Sequence, residues 1–500
     1  MKKSLYLLAA GAAALTLTVP GMAIAGEAAG NDTLNVVVTD DASQFNPGVT
    51  NTYSDIMSLY QIYERLVYYI DGEPVPQLAE SWEASEDKLT YTFHLRPDTY
   101  FQNGEKLTAE DVVYSINRRC EESPSTASKF ASVTALDENT VEIKLTRICE
   151  SIFSSLASPG MGILCKSYCE ENGDDAFLKP NGSGAYQLKE WVKGSQIQFE
   201  AFENYGGGKA PIEYLNFNII TDSSTALISL ENGENDFMLN LSASDFALVE
   251  GNEELTVQTA PSHSQAGLVL NVQNGVTADE NVRKAIACAI DRDAVNVVGF
   301  DGTGTVATGS FEDFLYYDGE DYTYSYDPEK AKEYLAASEY AGSDITVTIK
   351  TSDNYGDIVP QVIQQNLAEI GITANIESMD IGSQSEDWLN GNFEIIYQAG
   401  SEITPDLSES LYSAYYSANV WSASAWSDGR YDGQLDAIMA ETDTQKRTEL
   451  CCSLLQEIMA TANEIPLVVK SGNIVYRTGL QNTYVDPNGM FYCFKDFSWE

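Results

Sequence analysis

The sequence is poor in the groups that hold polyanions and metals. Its 500 residues carry 28 Lys and Arg against 75 Asp and Glu, with a formal net charge of −47, and only two histidines, His94 and His263. Such a deficit of basic side chains excludes a nucleic-acid footprint and disfavours docking on anionic lipid. Scarce imidazole, with Cys165/Cys169 and Cys451/Cys452 spaced unlike C-x2-C pairs, disfavours a structural zinc site. Neither H-E-x-x-H nor G-x-S-x-G occurs, and acids at irregular spacing do not mark a catalytic pair, so a secreted hydrolase is the rival reading rather than the leading one. Beyond the N-terminus no apolar run is long enough to span a bilayer. No cysteine precedes Cys120, which excludes lipid attachment at a secretory signal. Internal repeats and low-complexity linkers are also missing.

What is present begins with an export address. Lys2 and Lys3 precede the apolar run Leu5 to Val19, Pro20-Gly21 breaks it, and Ala23-Ile24-Ala25 fits a small-residue cleavage site. Residues 1–25 are expected to be a signal peptide and Gly26 the mature start. The mature chain is then two charges more negative, because Lys2 and Lys3 leave and no acid does. The acidity reads as surface solvation in an extracytoplasmic setting. Eight cysteines in an exported chain can form disulfides, but their pairing is not legible; Cys288 is expected as a buried helical thiol. The length calls for two or more lobes.

The densest signals lie in Pro76 to Arg119. Leu89, Tyr91, Phe93 and Leu95 alternate with Thr90, Thr92, His94 and Arg96, a half-buried strand. Asn103-Gly104 is a turn signal. Thr108 is suited to N-cap a helix with Glu110 and Asp111 in its first turn and Val112, Val113 and Ile116 as its apolar stripe. Ala79-Glu80-Ser81-Trp82, Tyr91 to Arg96, Asn103-Gly104 and Leu107 to Tyr114 together resemble the signature of family 5 extracellular solute-binding proteins, the receptors of ABC importers for oligopeptides, dipeptides, nickel and related solutes. The likeness continues through Ile62 to Val67 (the family's "YEgL" helix), Asn181 to Tyr186, Asn204 to Pro211, Ala226 to Phe237, Asn281 to Ile286, Tyr326 to Lys332 and Val485 to Trp499. It implies an α/β, two-lobed periplasmic-binding-protein-like fold of type II. An extra N-terminal subdomain and mixed sheets with a hinge between the lobes are implied as well. The expected organisation is lobe I over 26–265 with an inserted subdomain over about 55–180, lobe II over 266–478, and a return to lobe I over 479–500.

In lobe II the pattern is clear without the resemblance. Ile345, Val347 and Ile349 alternate, then Asp357 to Ile370 has helical spacing with Gly371 as its stop, and Ile372, Ala374 and Ile376 alternate again. Strand–helix–strand at this length predicts a parallel pair. Further strands are expected at Phe393 to Tyr397, Ile465 to Val469 and Ile474 to Tyr476, and the resemblance implies that the chain crosses to its second lobe at Leu268 to Gln273. Helices are expected after a Thr277/Glu280 capping box and over Asp436 to Cys452.

Ligands of open α/β sheets bind beyond the carboxyl ends of parallel strands. Here those are Lys350 to Tyr355, which includes Asn354, and the loop from Gln398 to Asp406. The resemblance implies an Asp near a Trp in the second loop, pairing with a ligand α-amino group. Those positions carry Ser401 and Gln398, two departures, with Glu402 and Asp406 as nearby carboxylates. Lys350 falls near where some peptide receptors carry a basic group, beside a helix N-terminus that favours an anion. Lys350 facing Glu402 or Asp406 suits a zwitterion. Trp421, Trp426 and Tyr415 either wall the pocket or fill core. Expected partners are a small solute and a permease–ATPase complex, with the receptor a monomer at the cell envelope and no catalysis, cofactor or metal. Nickel is disfavoured by the two histidines. A receptor for a non-peptide solute or for signalling is the alternative.

Overall fold

The computed structural model describes residues 32–49, 52–70, 73–149, 151–241, 245, 248–249, 251–312, 314–401, 406–418 and 429–500. The expected signal peptide lies outside them.

Two long strands organise the chain, Leu255–Leu270 and Glu464–Arg477, paired antiparallel. On one side the sheet continues through Ile395–Ser401 and Ile345–Ser352 to Ile372–Met379. On the other it continues through Phe237–Leu239, Thr33–Val38, Tyr214–Ile219 and Gln196–Ala201 to Tyr186–Val192. The sheet therefore has two wings with separate cores. One packs Phe199, Phe217, Phe237, Phe494 and Phe497; the other packs Leu268, Ile286, Val347, Ile363, Ile395 and Ile465. A separate four-stranded sheet, ordered Ala79–Ala84, Thr90–Leu95, Thr140–Leu145, Phe130–Asp137, carries its own core around Phe93, Val112 and Ile143.

The long pair is interrupted midway. Pro261 faces Ser471 and Gln265 faces Val469, so Ser262, His263 and Ser264 lie opposite Lys470 alone. Pro261 has no N–H to give the ladder, and proline within a sheet is confined to edges and bulges. The loosened backbone finds other partners. Ser262 Oγ donates to the Lys470 carbonyl at 2.7 Å, and the His263 N–H donates to the Pro487 carbonyl at 2.9 Å.

Local signals account for most elements. The strand Thr90–Leu95 buries Tyr91, Phe93 and Leu95. The helix Ala109–Glu122 opens on Thr108, whose N–H and hydroxyl both donate to Asp111 Oδ2 at 2.9 Å. Its buried stripe is Val112, Ser115 and Ile116, with Val113 half-buried. Strands Ile345–Ser352 and Ile372–Met379 are parallel, joined by the helix Ile358–Glu369 and stopped at Gly371, whose φ of +87° only glycine adopts freely.

Several expectations are corrected. Ile62 to Val67 is not helical; the helix Tyr53–Ile62 ends there and the chain turns into the strand Val67–Ile70. No Thr277/Glu280 capping box forms. Asp279 caps the helix Glu280–Ala289, accepting from the N–H groups of Asn281 and Val282, while Thr277 is buried in a preceding turn. Asp436 to Cys452 is two helices, Asp432–Ala440 and Thr444–Met459, because Asp443 caps the second. Ile465 to Tyr476 is one strand rather than two. All eight cysteines are free thiols, Cys288 buried among them.

Candidate functional site

The site is set by alternation in the central strands. Ala266, Leu268 and Leu270 point into the lobe II core with Tyr397, Ile395 and Ile465. The opposite face must then carry Gln265 and Gly267, and across the ladders it carries Gly400, Gln398 and Pro466. That face is polar and low. A side chain at 267 would bring its Cβ to 3.3 Å from the Ile465 carbonyl, and a Cβ at 400 would lie 3.7 Å from the Tyr355 hydroxyl. A cavity of about 110 Å³ rests on it, closed above by Ser310, Phe311, Glu312 and Phe314 and reaching His263 at the strand interruption. Gln265 Nε2 holds that covering segment by donating to the Gly309 carbonyl at 2.7 Å. Phe314 meets the His263 ring edge-on, centroids 6.0 Å apart.

Two carboxylates line the cavity, Glu464 and Glu312, and no Lys or Arg does among the described residues. Glu464 Oε1 accepts from the Tyr415 hydroxyl at 2.6 Å. Burial raises its pKa above the ordinary carboxylate value, and the hydrogen bonds from Tyr415 and Ser310 draw it partly back. Glu312 accepts from the Thr308 hydroxyl at 2.8 Å.

The residues expected from sequence are placed unequally. Gln398 lines the cavity. It does so from a strand, because Ile395–Ser401 runs on past Tyr397 to pair with the hinge strand, Gln398 with Gly267 and Ser401 with Ser264. The expected loop from Gln398 to Asp406 is corrected to that extent. The Ser401 side chain, Glu402, Trp421 and Trp426 lie outside the described residues. Lys350 shares the cleft face, opposite Ile396, but its ammonium is paired with Asp387 at 2.6 Å. Asn354 is exposed in the turn after that strand. Asp406, 2% exposed, caps the helix Leu407–Tyr415, accepting from the Ser408 N–H at 2.8 Å. Tyr415 is core at its ring and touches the cavity through Glu464. The sequence reading missed Glu464, Glu312, His263 and Phe314 as lining residues. Gln265 and Gly267 alternating with Ala266, Leu268 and Leu270 was the signal for the face; nothing local marks Glu312.

Residues of the four-stranded sheet and its flanks meet the helix Leu407–Tyr415 and the segment that follows the helix Asp432–Ala440. Arg147 Nη2 lies 3.2 Å from Glu409 Oε2 and its guanidinium sits 4.7 Å above the Tyr412 ring. Cys149 Sγ approaches Glu409 Oε1 at 3.2 Å, and Lys88 Nζ donates to the Thr442 carbonyl at 3.0 Å. Burial first, then the nearby Tyr53, raises the Tyr355 pKa.

Comparison with known proteins agrees with this geometry. Residues 73–422 match the family described as bacterial extracellular solute-binding proteins, family 5 Middle. A dipeptide-binding protein of Escherichia coli (strain K12) is 28% identical over 488 residues, covering 89% of this chain and 90% of its own. A glutathione-binding protein of Salmonella paratyphi A is 28% identical over 433 residues, 83% of this chain and 84% of its own. The ABC transporter-associated periplasmic binding protein of Helicobacter pylori, solved with the peptide STSA, superposes with a TM-score of 0.79 at 25% identity, covering 94% of this chain and 98% of that one.

Proposed function

The chain belongs to family 5 of the bacterial extracellular solute-binding proteins, substrate-binding components of ABC transporters and not enzymes, and from that premise we propose that it captures a small peptide-like zwitterion between its lobes and delivers it to a permease. Lobe I spans 26–265 with the return 479–500, and lobe II spans 266–478. Binding shifts an open–closed equilibrium toward the closed form, which docks as a monomer on the permease outside the cytoplasmic membrane. The observation that carries this reading is the cavity of about 110 Å³ laid against the two strands that join the wings. At the ~10–15 Å³ each water needs, it has room for roughly ten non-hydrogen atoms, the scale of an amino acid or dipeptide. The relatives that bind dipeptide, glutathione and the peptide STSA support the same class. The residues at 398 and 401 favour one second reading, a non-peptide organic solute of similar size.

A thermal-shift screen of the mature protein tests both. A ligand at 100 times its Kd adds about 2.7 kcal/mol to stability. Shifts with dipeptides are expected; shifts with sugars or other neutral solutes alone would transfer the assignment to the second reading.

A further inference from the structure

The charge of the cavity says more about the ligand than its size does. Lys350, the basic group that would take a ligand carboxylate, is already paired with Asp387, and the described lining holds Glu464 and Glu312 without Lys or Arg. No ion pair joins either acid to a basic residue among the described residues. Glu464 stands at the head of its strand, on the same face as Pro466 and across from Val269. Its hydroxyl partners Tyr415 and Ser310 orient it without neutralising it. A carboxylate taken from water without a counter-charge is costly, and a ligand ammonium arriving with charge-assisted hydrogen bonds relieves that cost at the moment of binding.

We infer that the ligand's cationic group, an ammonium or guanidinium, is received at the floor of the cavity by Glu464, with Glu312 in the covering segment as the second acid. The inference rests on the solute-receptor reading and sharpens it: a cationic end is required for affinity, whereas an anionic end is not. It also relocates the charged anchor from the loop after the strand Ile395–Ser401 to the strand Glu464–Arg477, on the far side of Leu255–Leu270. Gly267 and Gly400 line the same cavity without a side chain. Phe311 and Phe314 line it too, and aromatic rings also favour cations.

Titration calorimetry on the mature protein tests this with alanyl-alanine, its C-terminal amide, its N-acetyl form and the diamine putrescine. Alanyl-alanine and the amide are expected to bind, with the N-acetyl form at least tenfold weaker. Glu464→Gln should lose tenfold or more for the amine-bearing probes and little for the acetylated one, at an unchanged melting temperature. Glu464→Asp should retain the preference for amines, and Glu312→Gln should show a smaller loss of the same kind. Putrescine binding without any dipeptide would uphold the cation site and overturn the peptide reading. Equal binding of free and acetylated forms, or an equal loss for every probe in Glu464→Gln, would overturn the inference and leave the receptor reading standing. No binding by any probe would overturn both.

Discussion

The inserted subdomain and the cleft face of lobe II are built from the same β-strand alternation and use it in opposite ways. In the strand Thr90–Leu95 the period-two apolar residues are buried to 0–4% and packed on Trp82 and Phe153, so the outward residues carry no demand beyond solvation. In Leu255–Leu270 the inward residues are just as buried, but the outward face is covered too, by the 310–314 segment, and it is Gln, Gly and Glu that meet there. One region buries one face for stability and leaves the opposite face to water. The other keeps one face unfilled, which is what a binding protein needs.

The comparison breaks most easily in the subdomain core. Phe93 is fully buried against Trp82, Tyr91 and Phe153. Phe93→Ala should cost about 3–5 kcal/mol, read as a lower or split thermal transition, while the ratio of affinities among ligands stays unchanged. A change in that ratio would show that the subdomain takes part in selectivity. The converse substitution is Gly400→Leu. Its side chain enters the cavity beside Tyr355. It should weaken the best-binding dipeptide at least tenfold, about 1.4 kcal/mol, with little change in melting temperature. A strong loss of stability with intact binding would place residue 400 in the core instead.

This difference also explains what could be read from the sequence. Alternation and Thr108 marked the strand Thr90–Leu95 and the helix Ala109–Glu122, because their signals are local. The parallel pair Ile345–Ser352 and Ile372–Met379 was legible for the same reason, through the helix between them. The cleft was less so. Gln398 was found through the family resemblance, but the strand was ended too soon at Tyr397, since its continuation is imposed by pairing with residues more than a hundred positions earlier. Lys350 and Asp406 have the right chemistry and are engaged by Asp387 and by a helix N-terminus, partners no spacing rule reveals. Glu464 is brought to the cavity by the crossing strands alone.

A smaller effect tests the subdomain's local reading. Thr108→Ala removes the hydroxyl that donates to Asp111 but leaves the backbone N–H bond to the same carboxylate. It should destabilise by about 1 kcal/mol or less, measured by denaturant midpoint, again without changing ligand preference.

The smallest effect lies where the two regions touch. Arg147 belongs to the subdomain and Glu409 to lobe II, with the guanidinium also over Tyr412. Both partners are partly shielded, at 29% and 13% side-chain exposure, so the pair is worth little more than a surface ion pair, about 0.2–1 kcal/mol. Its position gives that energy a specific use. Arg147 follows the strand Thr140–Leu145 and Glu409 lies in the helix Leu407–Tyr415, which pack on separate cores, so parting them breaks the contact and leaves both cores intact. Arg147→Ala should therefore lower ligand affinity up to about fivefold, chiefly through faster dissociation, and increase the solution radius of the unliganded protein, with the melting temperature nearly constant. The charge exchange Arg147→Glu with Glu409→Arg should recover part of the affinity lost by either single variant. If both single variants instead lower the melting temperature and leave dissociation unchanged, the contact supports the fold rather than the closed state, as an extension of the subdomain core.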